Sequence, residues 1–285
     1  MGQAERATSI GLVIGAIASL QLGAAVATTL FDEVGPTGAV LLRTGFAAVI
    51  LVAIWRPAVP HRASGPLRDA VLLGLVLAGM NLSFYAALDR IPLGIAVTLE
   101  FTGPLAVAVA GSRRATDVVW VVLAAAGILI LSPLHGSLDG PGAAFALLAG
   151  ACWAGYIVLA TRVGRAFAGG RGLAVAMVVA TIVLIPAGVV GGGTALGRPG
   201  LLAVGLAVAV LSSAIPYSLE LEALRRIRRG TFGVLMSLEP AVASLVGLAV
   251  LGQGLSPTEV VAIALVVAAS AGALGAAAAP TPVEA

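Results

Sequence analysis

Charge is what this chain has least of. Only 10% of its 285 residues are Asp, Glu, Lys or Arg, whereas a soluble domain carries about 25%. Lysine is absent, and all sixteen basic residues are Arg. Cys152 is the only cysteine, which excludes an intramolecular disulfide and a cysteine-built metal cluster. The two histidines, His61 and His135, stand far apart in predicted loops without metal-ligand spacing. No phosphate-binding loop or ATP motif of the Walker type is present, which argues against direct ATP drive. A nucleophile–base pair is also missing, so no enzyme, cofactor or metal is expected. The pI of 9.7 carries no nucleic-acid reading, because the arginines have a simpler use as topology markers.

What the chain does have is apolar length. Hydrophobic residues make up 60% of it and the mean hydropathy is +1.09, the composition of an integral membrane protein. Ten runs are long enough to span a bilayer, near 9–30, 37–55, 69–88, 92–110, 117–133, 142–161, 172–191, 200–219, 231–251 and 257–278. Between them stand breaker pairs such as Gly35-Pro36, Arg56-Pro57, Ser132-Pro133, Gly140-Pro141, Arg198-Pro199 and Ser256-Pro257. Ala25-Val26-Ala27 imitates a signal-peptidase site, but its apolar run is longer than a signal core and is expected to be retained. The tail Pro280–Ala285 is expected to fray.

The arginines orient these runs. With the N-terminus in the cytoplasm, thirteen lie inside: Arg6, Arg56, Arg62, Arg68, Arg113, Arg114, Arg162, Arg165, Arg171, Arg225, Arg226, Arg228 and Arg229. Only Arg90 and Arg198 lie outside, and Arg43 lies within a run. That asymmetry over short loops is the positive-inside pattern, and it places both termini in the cytoplasm.

Two acidic positions interrupt the apolar pattern in matching places. Thr98-Leu99-Glu100-Phe101-Thr102-Gly103-Pro104 lies in the fourth run, and Ser237-Leu238-Glu239-Pro240-Ala241 in the ninth. A charged group at mid-membrane costs roughly 2.5–3.5 kcal/mol to insert, and proline kinks or breaks the helix. Upstream, Ala87-Leu88-Asp89-Arg90-Ile91 pairs with Ala223-Leu224-Arg225-Arg226-Ile227 at an offset of 136, and the Leu-Glu pairs at 139. The expected architecture is therefore all-α, with ten transmembrane helices in two five-helix repeats, 1–135 and 136–285. Five crossings per repeat invert one relative to the other, the plan of secondary carriers with a midplane site.

At these residues the chain resembles the EamA-domain branch of the drug/metabolite transporter superfamily, and within it the threonine/homoserine exporters of the RhtA type. The strings that carry the resemblance are Ala87–Gly94 leading into Leu99–Pro104, and Phe232–Ala241. The resemblance in plan spans roughly 10–278. It implies a ten-helix bacterial inner-membrane exporter with two EamA repeats and a central cavity.

Candidate site residues are the few polar and aromatic groups at that depth. A zwitterionic amino acid needs an acid for its ammonium, donors or a cation for its carboxylate, and a wall for its side chain. Glu100 or Glu239 suits the first; Asn81 and Tyr85, which share a helix face at i, i+4, suit the second. Trp153 and Tyr156, at i, i+3, are candidates for a cation–π wall, with interfacial anchoring as the alternative. Trp55 and Trp120 fit an interfacial belt. Arg43 either pairs with Glu100, contacts a substrate carboxylate, or snorkels to the surface. Gln21, Ser212 and Ser213 suit interhelical hydrogen bonding as well as the cavity; Pro216 is expected to kink their helix and Tyr217 to lie one turn beyond Ser213. Glu222 and Arg226 form an expected solvated i, i+4 pair, and Arg225–Arg229 an anchor to the cytoplasmic face.

The expected activity is export of a small polar metabolite, an amino acid such as threonine or homoserine, by alternating access. Coupling to protons follows if Glu100 or Glu239 titrates during the cycle. The expected partners are the small-molecule substrate, the lipid bilayer and protons, with no nucleic acid. Export of another metabolite, a sugar, a nucleotide derivative or a drug stays open, and so does a channel, for which only scattered polar positions are visible.

Overall fold

An apolar run in hydrocarbon must satisfy its own backbone, and the α-helix does this within one segment. The computed structural model describes residues 3–57, 65–110, 117–130, 139–216, 219, 223 and 235–278, and among them there are helices and no strand. The helices are α1 (Gln3–Thr28), α2 (Phe31–Trp55), α3 (Gly65–Leu88), α4 (Leu93–Glu100), α5 (Thr102–Ala110) and α6 (Asp117–Ile130). There follow α7 (Gly140–Ala166), α8 (Arg171–Gly192), α9 (Pro199–Ala209), α10 (Glu239–Leu251) and α11 (Pro257–Ala278).

Five helices are long and apolar enough to cross a bilayer: α1 from Ile10, α2, α3, α7, and α8 with the 3-10 turn that extends it to Gly197. The other apolar helices are shorter, for local reasons. The fourth run divides at Phe101 into α4 and α5, because Pro104 lacks the N–H that the Glu100 carbonyl would otherwise accept. After α9 the chain widens into a π-helical turn, Val210–Ala214, just ahead of Pro216. Pro240 sits in the first turn of α10, where its missing donor is not needed. The Gly35-Pro36 separator falls inside α2 as a kink, with Gly35 at φ 64 and ψ 170.

Packing brings distant segments together. α2 lies along α8, α3 along α7 and α8, and α6 along α11. α4 packs between α10 and α7, α5 against α7, and α1 against α10, α9 and the π turn. Every residue of α4 is buried. The surface of the helices is apolar, with Val49, Ile182, Val190 and Leu245 exposed, as a lipid-facing wall requires. Two exposed ion pairs tie connections together: Arg90 to Asp139 at 3.7 Å and Arg198 to Glu33 at 2.7 Å. Asp139 also caps α7, accepting from the Gly142 N–H at 2.7 Å.

Several sequence expectations lie outside the described residues: His61, His135, Arg62, Arg113, Arg114, Tyr217, Glu222, the arginines 225–229, the Phe232–Val234 part of the second motif, and the 280–285 tail.

Candidate functional site

The site begins with the break after Glu100. Without a donor from Pro104, the Glu100 carbonyl faces Gly150 of α7, and a Cβ at Gly150 would come within 2.6 Å of that oxygen. Gly103 is pressed equally hard against the Gly150 carbonyl. Two glycines thus let the broken span seat directly on α7, backbone to backbone. The Glu100 side chain is 8% exposed, a carboxylate almost removed from solvent, which demands compensation. Arg43 of α2 lies within electrostatic reach of it. The Arg43 guanidinium sits over the Tyr85 ring, 5.6 Å from its centroid, and is half-buried rather than turned out to an interface. Tyr85 is fully buried and braced by Phe31 and Phe84, at 5.8 and 6.3 Å between ring centroids. Three helices, α2, α3 and α4, therefore bring a cation, an aromatic phenol and an acid to one place.

Glu239 has a different setting. It is the first residue of α10, 3% exposed, at the end of the helix whose free N–H groups favour negative charge. Gln21 Nε2, itself buried in α1, donates to Glu239 Oε1 at 3.0 Å. Beside this bond Ser19 Oγ donates to the Leu211 carbonyl at 2.8 Å, joining α1 to the π turn. Ser212 and Ser213 are both buried in that turn, and among the described residues the Ser212 hydroxyl has no hydrogen-bond partner, so interhelical bonding is not seen for it.

Two expectations change. Asn81 is buried, but its amide donates at 2.8 Å to the Leu77 carbonyl of its own helix, so part of its donor capacity is used there. Trp153 and Tyr156 do not build one wall. Trp153 stands edge-on to Phe101, at 5.3 Å and 89°, next to Glu100. Tyr156 turns toward α3 and α8 and lines a separate pocket of about 200 Å³ with Leu73, Val163 and Leu173. One step of i, i+3 rotates a side chain by about 60°, enough here to give the two rings different neighbours. The cation–π contact among the described residues falls to Arg43 and Tyr85 instead. Phe31, packed on Tyr85, and Gly150, packed on the Glu100 carbonyl, carried no sequence signal, since both are ordinary in apolar runs.

A broken, glycine-seated span thus carries a buried acid opposite a guanidinium, inside a helical protein with an apolar surface. The profile of the EamA-like transporter family matches residues 140–275. The threonine/homoserine exporter RhtA of Salmonella typhimurium strain LT2 is 46% identical over 260 residues, covering 90% of this chain and 88% of that one. The exporter of the same name from Escherichia coli K12 is 44% identical over 266 residues, covering 92% and 90%. The chain belongs to the EamA-like transporter family. As a family member it is a transporter of the drug/metabolite type and not an enzyme, embedded in the membrane through its apolar helices. A solved crystal structure shares the EamA-like chain's fold, with a TM-score of 0.62 over 93% of this chain and 96% of the other at 18% identity.

Proposed function

We propose that the protein is a bacterial inner-membrane exporter of threonine and homoserine, with ten spans in two inverted halves, 1–135 and 136–285, working by alternating access. The observation that carries this is the opposed pair Arg43 and Glu100, in reach of one another and walled by Tyr85. Such a pair is complementary to a zwitterion: the guanidinium takes the α-carboxylate in a planar, two-donor geometry, and the acid takes the ammonium. The relatives named for threonine and homoserine export, at 44–46% identity, fit that chemistry.

Packing supports the inverted halves. Exchange each span with the one five places later, and the most extensive contacts map onto contacts that are also present. The second–seventh, fourth–ninth and fifth–tenth contacts, α2 on α8, α4 on α10 and α6 on α11, each return to themselves. The third–sixth contact, α3 on α7, becomes eighth–first, α9 on α1; the third–seventh, α3 on α8, becomes eighth–second, α9 on α2. Any two-fold relation between the halves has this consequence, and the odd number of expected crossings in each half is what would put the axis in the membrane plane. The family profile's match to 140–275, inside the second half, agrees with the division.

In the cycle, substrate replaces the internal pairing: its carboxylate engages Arg43 and its ammonium Glu100. Rocking of the halves then exposes the site to the other side. Glu100 and Glu239 are the two groups whose charge a proton can cancel at this depth, which supplies the coupling. The arginine asymmetry puts both termini in the cytoplasm. The test is efflux from proteoliposomes loaded with labelled threonine, homoserine and unrelated metabolites, with and without a pH gradient. Acceleration of the first two only, enhanced by the gradient, is expected. No acceleration of either removes the substrate assignment, and gradient dependence unchanged in both E100Q and E239Q removes the proton role.

A further inference from the structure

The N-terminus of α4, the helix that ends in Glu100, has no cap of its own. Its N-cap residue is Pro92, which has no side-chain acceptor to offer. The next N–H, that of the fully buried Leu93, would be an orphan donor away from water. It is satisfied from far away in the chain: Gln253 Oε1 accepts from it at 3.0 Å across 160 positions. Gln253 lies in the α10–α11 connection, and its place is set by how α10 stops. Gly252 turns into the left-handed region at φ 65, and the Gln253 N–H donates to the Gly247 carbonyl at 3.0 Å. The Gln253 side chain then folds back so closely that a Cβ on Gly247 would come within 2.9 Å of Oε1. The acceptor is thereby aimed at α4.

We propose that Gln253 is a positioning residue for Glu100 and the latch that joins the two halves over the site on the expected outer side, a role that rests on the two-half carrier reading. α4 is one short segment, two turns or about 10 Å from Leu93 to Glu100, so what holds its first residue holds its last. The two exposed ion pairs, Arg90–Asp139 and Arg198–Glu33, also join a first-half residue to a second-half one on that side. Their exposure makes each a weak contributor. The Gln253 bond differs because the donor it satisfies is buried. Opening of the seam between α4 and α10 requires the Leu93 N–H to exchange Gln253 for water. Ser244 lies on that seam, its hydroxyl pressed against Gly94, which makes it a reporter position.

The experiment uses the full chain with C152S and S244C, in right-side-out and inverted vesicles, labelled with a membrane-impermeant maleimide. Q253A and Q253M remove the acceptor, and Q253M keeps the side-chain length should Q253A fail to fold. Both are expected to speed labelling from the outside by about two- to tenfold, the worth of one hydrogen bond. Q253E keeps an acceptor and strengthens it by charge, so it is expected to slow labelling below the parent. A general loosening of structure would not move the rate in opposite directions. Rates within a factor of two of the parent, a shift of the same sign in all variants, labelling only from the inside, or no labelling in any variant overturns the latch. Threonine efflux by the parent, measured in parallel, reports on the substrate separately: absent efflux with the labelling order intact removes the substrate and leaves the latch standing.

Discussion

Glu100 and Glu239 each close a Leu-Glu pair, yet among the described residues the neighbours they meet differ in kind. Glu100 stands at the end of α4, before the break, and answers to a charge, the Arg43 guanidinium. Glu239 stands at the start of α10, after the break, and is met by a neutral amide, Gln21. The proline explains the shift. Pro104 follows Glu100 by four residues, so the helix runs through Glu100 before it fails; Pro240 follows Glu239 at once, so the helix can only begin there. Glu100 therefore faces a guanidinium, and Glu239 is met by an amide donor at a helix N-terminus, so the same Leu-Glu letters stand in two chemical settings.

The comparison breaks most sharply at Glu100. E100Q removes the charge that faces the half-buried Arg43, a loss of about 1–3 kcal/mol for a charged group deprived of a counterpart, and threonine efflux is expected to fall by about a hundredfold or more. R43M should do nearly the same. The double variant should be more stable in thermal unfolding than the sum of the two single losses implies; additive losses would show that the two charges do not act on one another. G150A comes next, because its methyl collides with the Glu100 carbonyl. A destabilisation of about 1–3 kcal/mol, read as a lower Tm in detergent, is expected. Q21L removes the amide donor from Glu239 and should cost about 1–2 kcal/mol. E239Q should be milder in stability than Q21L, since its carbonyl still accepts from Gln21. A loss of efflux as deep as that of E100Q would mean that Glu239 works by its charge, and the contrast drawn here would fail. R198Q is expected to change stability by less than about 1 kcal/mol, as exposed pairs do.

Both acids were legible in the letters alone, because a carboxylate inside an apolar run violates the local pattern. Arg43 was legible for the same reason, though its choice between Glu100, a ligand and the interface was not. Packing decided that choice by setting Tyr85 beneath the guanidinium. Gln21 looked like any interhelical glue residue until α1 and α10 met across 218 positions. Trp153 and Tyr156 looked alike by spacing, and one turned to Phe101 while the other turned to Leu173. Gln253, in a connection outside any apolar run, gave no sign at all. Nor did Gly150, one of 37 glycines, whose role exists only because the Glu100 carbonyl packs directly against it.

Hydropathy is a local, additive property of a chain, so the ten apolar runs, the arginine asymmetry and the two intramembrane acids follow from residue order without any knowledge of neighbours. Partnership is not local. Which acid meets a cation, which meets an amide, and which loop caps the helix that carries Glu100 depend on how helices lie against one another, and that is set by glycine contacts and proline breaks acting between segments far apart in the chain.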